Sequence, residues 1–271
     1  DKVDPAWSAL GASIVVTGLV SITNGQLVFQ SQLRDVSSGQ VILSKQETVP
    51  AGAYRKAAHR IADAITFQLS GQPGIADSQI AFVNNRTGKK ELYIMDYDGY
   101  NARQVTSYRS ITLLPKWSAD GKQVAFNSYK AGNPDAYIYD AASGAMKLLS
   151  GRQGLNTSPS WSPDGAHVAW LSLADDHVEL WVASKDGSGA RRLLDVVDVL
   201  APAYRWIGPD ALLVLEARRE GAPPPAPRVP AGPMIELANG ERAQNRTWQD
   251  LLRNAHDADL FEYFASSGLS R

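Results

Sequence analysis

The chain has 271 residues, of which 44% are hydrophobic and 20% are charged, and its formal net charge is -1. This composition is typical of a folded, soluble protein, and the balanced, interspersed charges exclude the basic surface of a nucleic-acid or anionic-membrane binder. The absence of cysteine excludes disulfides, thiolate nucleophiles and cysteine-ligated metals. No apolar run reaches 18 residues, and residues 1–7 have neither the basic nor the apolar region of a signal peptide, so we expect no membrane insertion and no export signal in these residues.

Residues 1–74 predict a small, truncated α+β domain. A β-branched run at 14–22, an alternating segment at 27–33 and a third run at 41–47 predict a three-stranded meander, with Asn24-Gly25 in its first turn. Apolar residues then recur at helical spacing as far as Gly71, which is expected to end the helix. This helix is predicted to cover the meander through Tyr54, Ala58, Ile61, Ile65 and Leu69.

A repeat dominates the remainder of the chain. The pentad Trp-Ser-Ala-Asp-Gly at 117–121 returns 44 residues later as Trp-Ser-Pro-Asp-Gly at 161–165 and, degraded, at 206–210. That period is typical of propeller blades, whose four-stranded sheets need neighbours to cover both faces. The sequence therefore predicts a mainly β protein, with an incomplete β-propeller of three to four blades, each of about 44 residues, over residues 75–271.

The regular pattern stops after the strand predicted at 211–216. Six prolines fall between residues 222 and 233, which predicts an extended loop that cannot enter a central strand. A helix is predicted near 247–265, with Thr247 as its cap, and the chain is expected to stop as that helix finishes. Its candidate buried positions are Leu251, Leu252, His256, Leu260 and Phe264.

No motif in the sequence predicts catalysis or a bound cofactor. The Asp-Gly pairs in the pentads are typical of turns, and residues 96–101 lack the terminal glutamate of a calcium loop. A Gly-x-Ser-x-Gly nucleophile elbow and the phosphate-binding glycine loops are absent from the sequence. No two of His59, His167, His177 and His256 stand at metal-ligand spacing. We therefore expect no catalytic residue, no metal and no cofactor.

Residues 5–160 resemble the TolB family, the periplasmic propeller proteins of the Tol-Pal envelope system. The likeness rests on Pro-Ala-Trp-Ser-Ala-Leu-Gly-Ala at 5–12, on 15–18, and on Asp-Tyr-Asp-Gly-Tyr-Asn at 96–101. It implies a non-enzymatic periplasmic scaffold that binds a Pal-like lipoprotein at the channel mouth and contacts TolA through an N-terminal tail. The family's partner face, carried over to the loops at 110–114 and 155–158, implies partner-binding roles for Ile111, Leu114, Asn156, Thr157 and Ser158.

Residues 156–271 resemble a second group, the opening propeller blades of prolyl-oligopeptidase-family dipeptidyl and acylaminoacyl peptidases. The likeness rests on 206–214, on the proline loop, and on 247–257. It implies an alternative, the non-catalytic propeller of a serine peptidase whose Ser-Asp-His triad lies in a domain that this sequence does not contain. Either way, an incomplete propeller exposes sheet edges, so we also expect self-association through them.

Overall fold

The computed structural model describes residues 5–175, 177–198, 203–217, 221–225, 252 and 254–271. It separates into two compact units, one formed by Asp1–Phe82 and Tyr93–Thr106, the other by Val83–Leu92 and Ser107–Arg271. A domain boundary at residue 74 stays a prediction.

The first unit contains the meander. Its three strands are antiparallel and lie side by side in chain order, and the tight turn between the first two has positive φ at both Asn24 (51°) and Gly25 (75°), as a primed hairpin turn requires. The predicted meander is therefore confirmed. The elements are α1 (Pro5–Ala9), β1 (Ile14–Thr23), β2 (Gln26–Asp35), β3 (Val41–Pro50), a 3₁₀ turn (Ala51–Ala53) and α2 (Tyr54–Ser70).

Helix α2 packs on β3 and β2, but with a different face from the one predicted. Ala57 is its fully buried residue, whereas Ala58, Tyr54 and Leu69 are exposed. The prediction was wrong at these three positions because apolar spacing defines a broad stripe, and the docking angle decides which edge of the stripe is covered. The predicted helix end is confirmed, since Gly71 has φ 70° and donates its N–H to the carbonyl of Phe67.

Four antiparallel sheets follow the 44-residue period. The first and fourth have three strands each, and the second and third have four strands each. This arrangement is the predicted incomplete β-propeller. The four sheets comprise β4 (Gln79–Asn84), β5 (Glu91–Asp96) and β6 (Arg103–Gln104); β7 (Thr112–Trp117), β8 (Gln123–Ser128), β9 (Asp135–Asp140) and β10 (Met146–Ser150); β11 (Asn156–Trp161), β12 (His167–Leu173), β13 (Val178–Ser184) and β14 (Arg191–Leu194); and β15 (Tyr204–Gly208), β16 (Ala211–Ala217) and β17 (Ser267–Ser270).

The repeated tryptophans occupy equivalent places. Trp117 pairs with Val124 and Trp161 pairs with Val168, each at the end of the first strand of its sheet. The Trp161 indole N–H donates to the carbonyl of residue 116 (3.0 Å), and the Trp206 indole donates to that of residue 160 (3.2 Å). In each case the indole bonds to the residue just before the tryptophan of the previous sheet. The sequence repeat therefore corresponds to a repeat of inter-sheet hydrogen bonds.

Apolar clusters fill the spaces between successive sheets of the second unit. One joins the second and third sheets around the fully buried Val168 and Trp170, and the other joins the third and fourth sheets around Leu180 and Val214. The pentads lie at the turns that follow the first strands, where Asp164 accepts hydrogen bonds from the Ser162 hydroxyl (2.6 Å) and the Ala166 N–H (3.1 Å). Their predicted structural role is thereby confirmed.

The structure differs from the prediction at the end of the chain, where a strand follows the last helix. The described helix α3 spans Ala255–Ala265 and is capped by Asn254, whose side chain accepts the N–H of Asp257. It contains no buried residue and is followed by β17, which pairs with β16, so the chain does not stop at the helix. The sequence Ser-Gly-Leu-Ser shows no clear alternation of apolar and polar residues, so this strand could not be predicted. It is a strand because it pairs with β16. Thr247, Leu251 and residues 226–233 of the proline loop lie outside the described residues.

The tryptophan bonds can be tested with a matched pair. Trp206 and Trp117 are both half-buried, but the buried indole nitrogen of Trp117 has no acceptor in the described part of the chain. We expect Trp206→Phe to lower the free energy of unfolding by about 1 kcal/mol more than Trp117→Phe, because only the former loses a hydrogen bond. Urea unfolding measures the difference, and equal losses in both variants would contradict the assignment.

Acid sensitivity can be tested at the turn between β2 and β3. The hydroxyl of Ser37 and the N–H of Ser38 hold the pKa of Asp35 at about 2, below its ordinary 3.8. A carboxylate with a depressed pKa stabilises the folded state at pH values above its ordinary pKa. This stabilisation is lost as the pH falls through about 2. The stability difference between the wild type and Asp35→Asn should therefore shrink on acidification, as read from melting temperatures; a difference constant with pH would refute this.

Candidate functional site

Two β-bulges of the second unit, in strands β7 and β11, repeat the same strained geometry. Leu114 and Ser158 have φ of 54° and 55°, and each directly precedes a proline in the first strand of its sheet. At each place the pairing with the next strand shifts register, between Leu113 and Lys116 in one sheet and between Thr157 and Ser160 in the other. Positive φ in a non-glycine residue costs about 1–3 kcal/mol, so the surrounding structure must hold these bulges in place.

Asn127 on β8 holds the second bulge. It is buried, and its side-chain oxygen accepts the N–H of Ser158 (3.0 Å) and the hydroxyl of Thr157 (3.3 Å). Its side-chain amide donates to the backbone carbonyl of Asn156 (2.6 Å). One side chain from the second sheet therefore satisfies three consecutive residues of the third, which fixes the loop that the strain would otherwise release.

Asn156 holds the same loop from inside. It is fully buried, and its side-chain oxygen accepts from the hydroxyls of Ser150 (2.8 Å) and Ser172 (3.3 Å), while its amide donates to the carbonyl of Arg152 (2.7 Å). All of these contacts are internal to the second unit. In the described structure Asn156 thus positions its neighbours and does not itself present a surface.

The bulges border a cleft of about 580 Å³. Tyr204 closes one side, with its hydroxyl within hydrogen-bonding distance of the carbonyls of Ser158 and Ala169 (2.9 Å to the latter). Burial of that hydroxyl raises the pKa of Tyr204, so it stays protonated. The cleft is chiefly apolar, and its other lining residues are Leu114, Lys116, Leu155, Thr157, Pro159, Ser160, Leu171, Leu173, Val178 and Ala203.

Two of the buried carboxylates of the second unit, Asp135 on β9 and Glu179 on β13, have shifted pKa values. Burial raises the pKa of Asp135, although the Asn156 amide opposes the shift. Glu179 is also buried, but hydrogen bonds from Arg192 (2.7 Å) and the Trp181 indole (2.7 Å) outweigh the burial and lower its pKa. Each carboxylate therefore has a hydrogen-bond partner within the fold, Asp135 the Asn156 amide and Glu179 the Arg192 guanidinium.

The structure brings together three of the five residues that sequence reasoning selected. Leu114, Thr157 and Ser158 line the cleft, Asn156 lies buried behind it, and Ile111 is exposed outside its lining. The partner-binding roles of all five stay predictions. Sequence reasoning missed the lining residues of β12, β13 and β15, and also Asn127, because these come from other strands and from a neighbouring sheet.

Among the described residues, no group of three or more histidine or acidic side chains could hold a metal ion. Within the same ranges, no helix has both the length and the apolar character needed to span a bilayer.

Successive antiparallel sheets joined by apolar interfaces, with a cleft at the bulged first strands, define this chain as an incomplete β-propeller protein. The family model described as TolB beta propeller domain matches residues 67–224, and the chain belongs to that family.

Individual relatives agree. The chain is 37% identical over 116 residues to the Tol-Pal system protein TolB of Desulfosudis oleivorans, covering 43% of this chain and 26% of that protein. The TolB of Geobacter metallireducens is also 37% identical, with coverage of 43% and 27%. The crystal structure of TolB from Acinetobacter baumannii superposes with a TM-score of 0.67 at 29% identity, covering 78% of this chain and 54% of that one. The chain thus spans about a quarter of the length of these curated relatives.

The peptidase resemblance is weaker. Acylaminoacyl peptidase from Pyrococcus horikoshii matches with a TM-score of 0.37 at 11% identity, over 75% of this chain and 28% of that one. A likeness at this level carries no argument about function.

The role of Asn127 as a clamp, which holds the bulge at Ser158 through its side-chain hydrogen bonds, can be tested by measuring the free energy of unfolding. Asn127→Leu keeps the branched shape of the side chain but leaves the Ser158 N–H and the Asn156 carbonyl without their partner. We expect a loss of about 2 kcal/mol or more in the free energy of unfolding, because buried unpaired groups lose their hydration without compensation. Thr157→Val, which removes only the 3.3 Å hydroxyl contact, is the control and should cost less than about 1 kcal/mol. Similar losses in the two variants would show that Asn127 does not act as a clamp.

Proposed function

We propose that this chain is the protein-binding part of a non-enzymatic TolB-like scaffold, acting in the periplasm within the Tol-Pal system. The proposal is supported by the family match and by relatives that carry the name Tol-Pal system protein TolB. The observation that carries it is the cleft bordered by Leu114, Thr157 and Ser158, since the resemblance had pointed to the same two loops.

The chemistry of the cleft favours a protein segment as its ligand. Leu114 is exposed at the rim of the cleft, and Leu171 lies buried in its lining. An apolar side chain of a partner would therefore contact apolar surface both at the rim and inside the cleft. The Lys116 side chain adds a positive charge to the lining, which suits an acidic group beside that apolar anchor. We infer that the partner is a Pal-like lipoprotein, bound through a loop or an extended segment.

The fixed bulges support binding over catalysis. Ser158 is held through its backbone N–H by Asn127, and the Tyr204 hydroxyl lies against the Ser158 carbonyl. Both contacts hold the loop in the shape that forms the rim. A preformed rim lowers the entropy lost when a partner binds.

Binding can be measured with the soluble domain of a Pal-like lipoprotein and the full 271-residue chain by isothermal titration calorimetry. Leu114→Asp should weaken binding at least about tenfold, because it places a charge against an apolar anchor. Leu148→Asp on β10 is the control, since Leu148 is 51% exposed against 46% for Leu114 and lies outside the cleft lining. Absence of binding by the wild type, or an equal loss in both variants, would refute the proposed partner site.

We also propose that the open edge of the propeller permits self-association. Leu213 and Leu269 are exposed on the fourth sheet, and Leu269 pairs with Leu215 across β16 and β17. Alternation along the strands places these three leucines on one face of the sheet. The corresponding faces of the second and third sheets are covered by the sheets that follow them.

A further inference from the structure

The two bulges of the second unit differ in how their backbone groups are satisfied. At Ser158 the N–H donates to the side chain of Asn127 in the preceding sheet, and the carbonyl lies within hydrogen-bonding distance of the Tyr204 hydroxyl in the following sheet. Leu114 has nearly the same φ and stands at the same shift of register. We therefore expect its N–H and its carbonyl to point towards the equivalent places in the sheets before and after it.

Neither equivalent place carries a polar side chain. Val83 holds in β4 the position that Asn127 holds in β8, one repeat of 44 residues later. Counted back from the repeated tryptophans, Tyr204 corresponds to Pro159. The side chains of valine and proline neither donate nor accept hydrogen bonds, and within the described ranges no side chain bonds to the backbone of Leu114.

A third side-chain anchor is also missing at the first bulge. The buried Asn156, which bonds to two serine hydroxyls at the second bulge, corresponds to Thr112 one repeat earlier. Thr112 is fully buried as well, but its hydroxyl has no partner in the described part of the chain. The loop before Leu114 is nevertheless held, since the Glu91 carboxylate accepts the N–H of Arg109 (2.7 Å). The bulge at Leu114 is thus positioned without the side-chain bonds that saturate the bulge at Ser158.

The Leu114 carbonyl is directed at the cleft. Pro159, which stands where a hydroxyl would be needed, belongs to the cleft lining, and so do Leu114 and Lys116. Lys116 is exposed, and its ammonium group has no ion-pair partner among the residues that the structure describes. A carbonyl oxygen and a cation therefore lie two residues apart on β7, beside a chiefly apolar cleft.

We propose that the Leu114 carbonyl is the hydrogen-bond acceptor that fixes the partner's main chain in the cleft, and that Lys116 binds a carboxylate of the same segment. This inference rests on the proposed function and specifies the chemistry of the ligand. The ligand is an extended protein segment that offers a backbone N–H to Leu114, an acidic side chain to Lys116 and an apolar side chain to the cleft.

The charge of Lys116 decides which kind of donor suits the Leu114 carbonyl. A cationic donor from a partner would be repelled by the ammonium group, whereas a backbone N–H is a neutral donor that almost every residue of a partner carries. A carbonyl that gains a donor in an apolar cleft forms its hydrogen bond where water competes least. A main-chain contact of this kind fits any sequence, so the acidic and apolar side chains of the segment supply the specificity.

The Leu114 carbonyl can be observed by itself, because Leu114-Pro115 is the sole Leu-Pro step in the sequence. Labelling the full chain with carbonyl-¹³C leucine and ¹⁵N proline gives one carbonyl signal that is coupled to nitrogen. We add the soluble domain of a Pal-like lipoprotein and follow this signal by NMR. It should move downfield on binding, as a carbonyl carbon does when its oxygen accepts a hydrogen bond.

The role of Lys116 is tested in the same complex by isothermal titration calorimetry. Lys116→Gln should weaken binding about fivefold, which is the upper end of what an exposed ion pair contributes. Lys122→Gln is the matched control, since it removes the same charge from an exposed lysine outside the cleft lining, and it should leave the affinity unchanged.

The outcomes separate this inference from the proposed function. A wild type that binds the domain while its Leu114 signal stays in place would overturn the inference and leave the proposed function standing. Equal losses of affinity in Lys116→Gln and Lys122→Gln would overturn it as well. A wild type that does not bind the domain would refute the proposed function and this inference with it. The carbonyl measurement uses the unsubstituted chain, so it decides the matter even if Lys116→Gln fails to fold.

Discussion

The arrangement of the second unit depends on one constraint, which is that each of its sheets has apolar side chains on both faces. Trp170 and Leu171 are neighbours on β12, yet one belongs to the cluster with the second sheet and the other to the cluster with the fourth. A lone sheet of this kind would leave one face in water, at a cost of about 25 cal/mol for each Å² of apolar surface. The sheets must therefore stack, and the indole hydrogen bonds of Trp161 and Trp206 fix how each sits on the one before.

This stacking also creates the cleft, because two equivalent positions carry different residues. Asn127 in the second sheet reaches across to the bulge at Ser158, whereas 44 residues later Leu171 has no polar group to offer and lines the cleft instead. The Tyr204 hydroxyl, from the fourth sheet, lies against the carbonyl at the same bulge. Ser158 is thus fixed from both sides, which lets a strained conformation persist where a partner is proposed to bind.

The meander of the first unit follows a different rule, since a helix and not another sheet packs on it. Helix α2 packs on β3 and β2, and the apolar side chains of β1 extend beyond that cover. The two units therefore present different kinds of surface. A rigid cleft suits a shaped protein segment.

The sequence by itself determined the period, the meander and the turns, because these depend on residues close together in the chain. Asn24-Gly25, for example, requires a tight turn. Such features are decided by backbone preferences, which act over a few residues. They can therefore be predicted before any packing is known.

Only the tertiary structure decided which side chains meet. It showed that Asn156 is enclosed by Ser150 and Ser172 and positions the loop from behind, which no local pattern distinguishes from an exposed asparagine. It assigned the covered face of α2 to Ala57, and it made a strand of Ser267–Ser270 because β16 had an edge to pair with. Burial and pairing depend on partners distant in sequence, so they are fixed only when the sheets and helices have packed together.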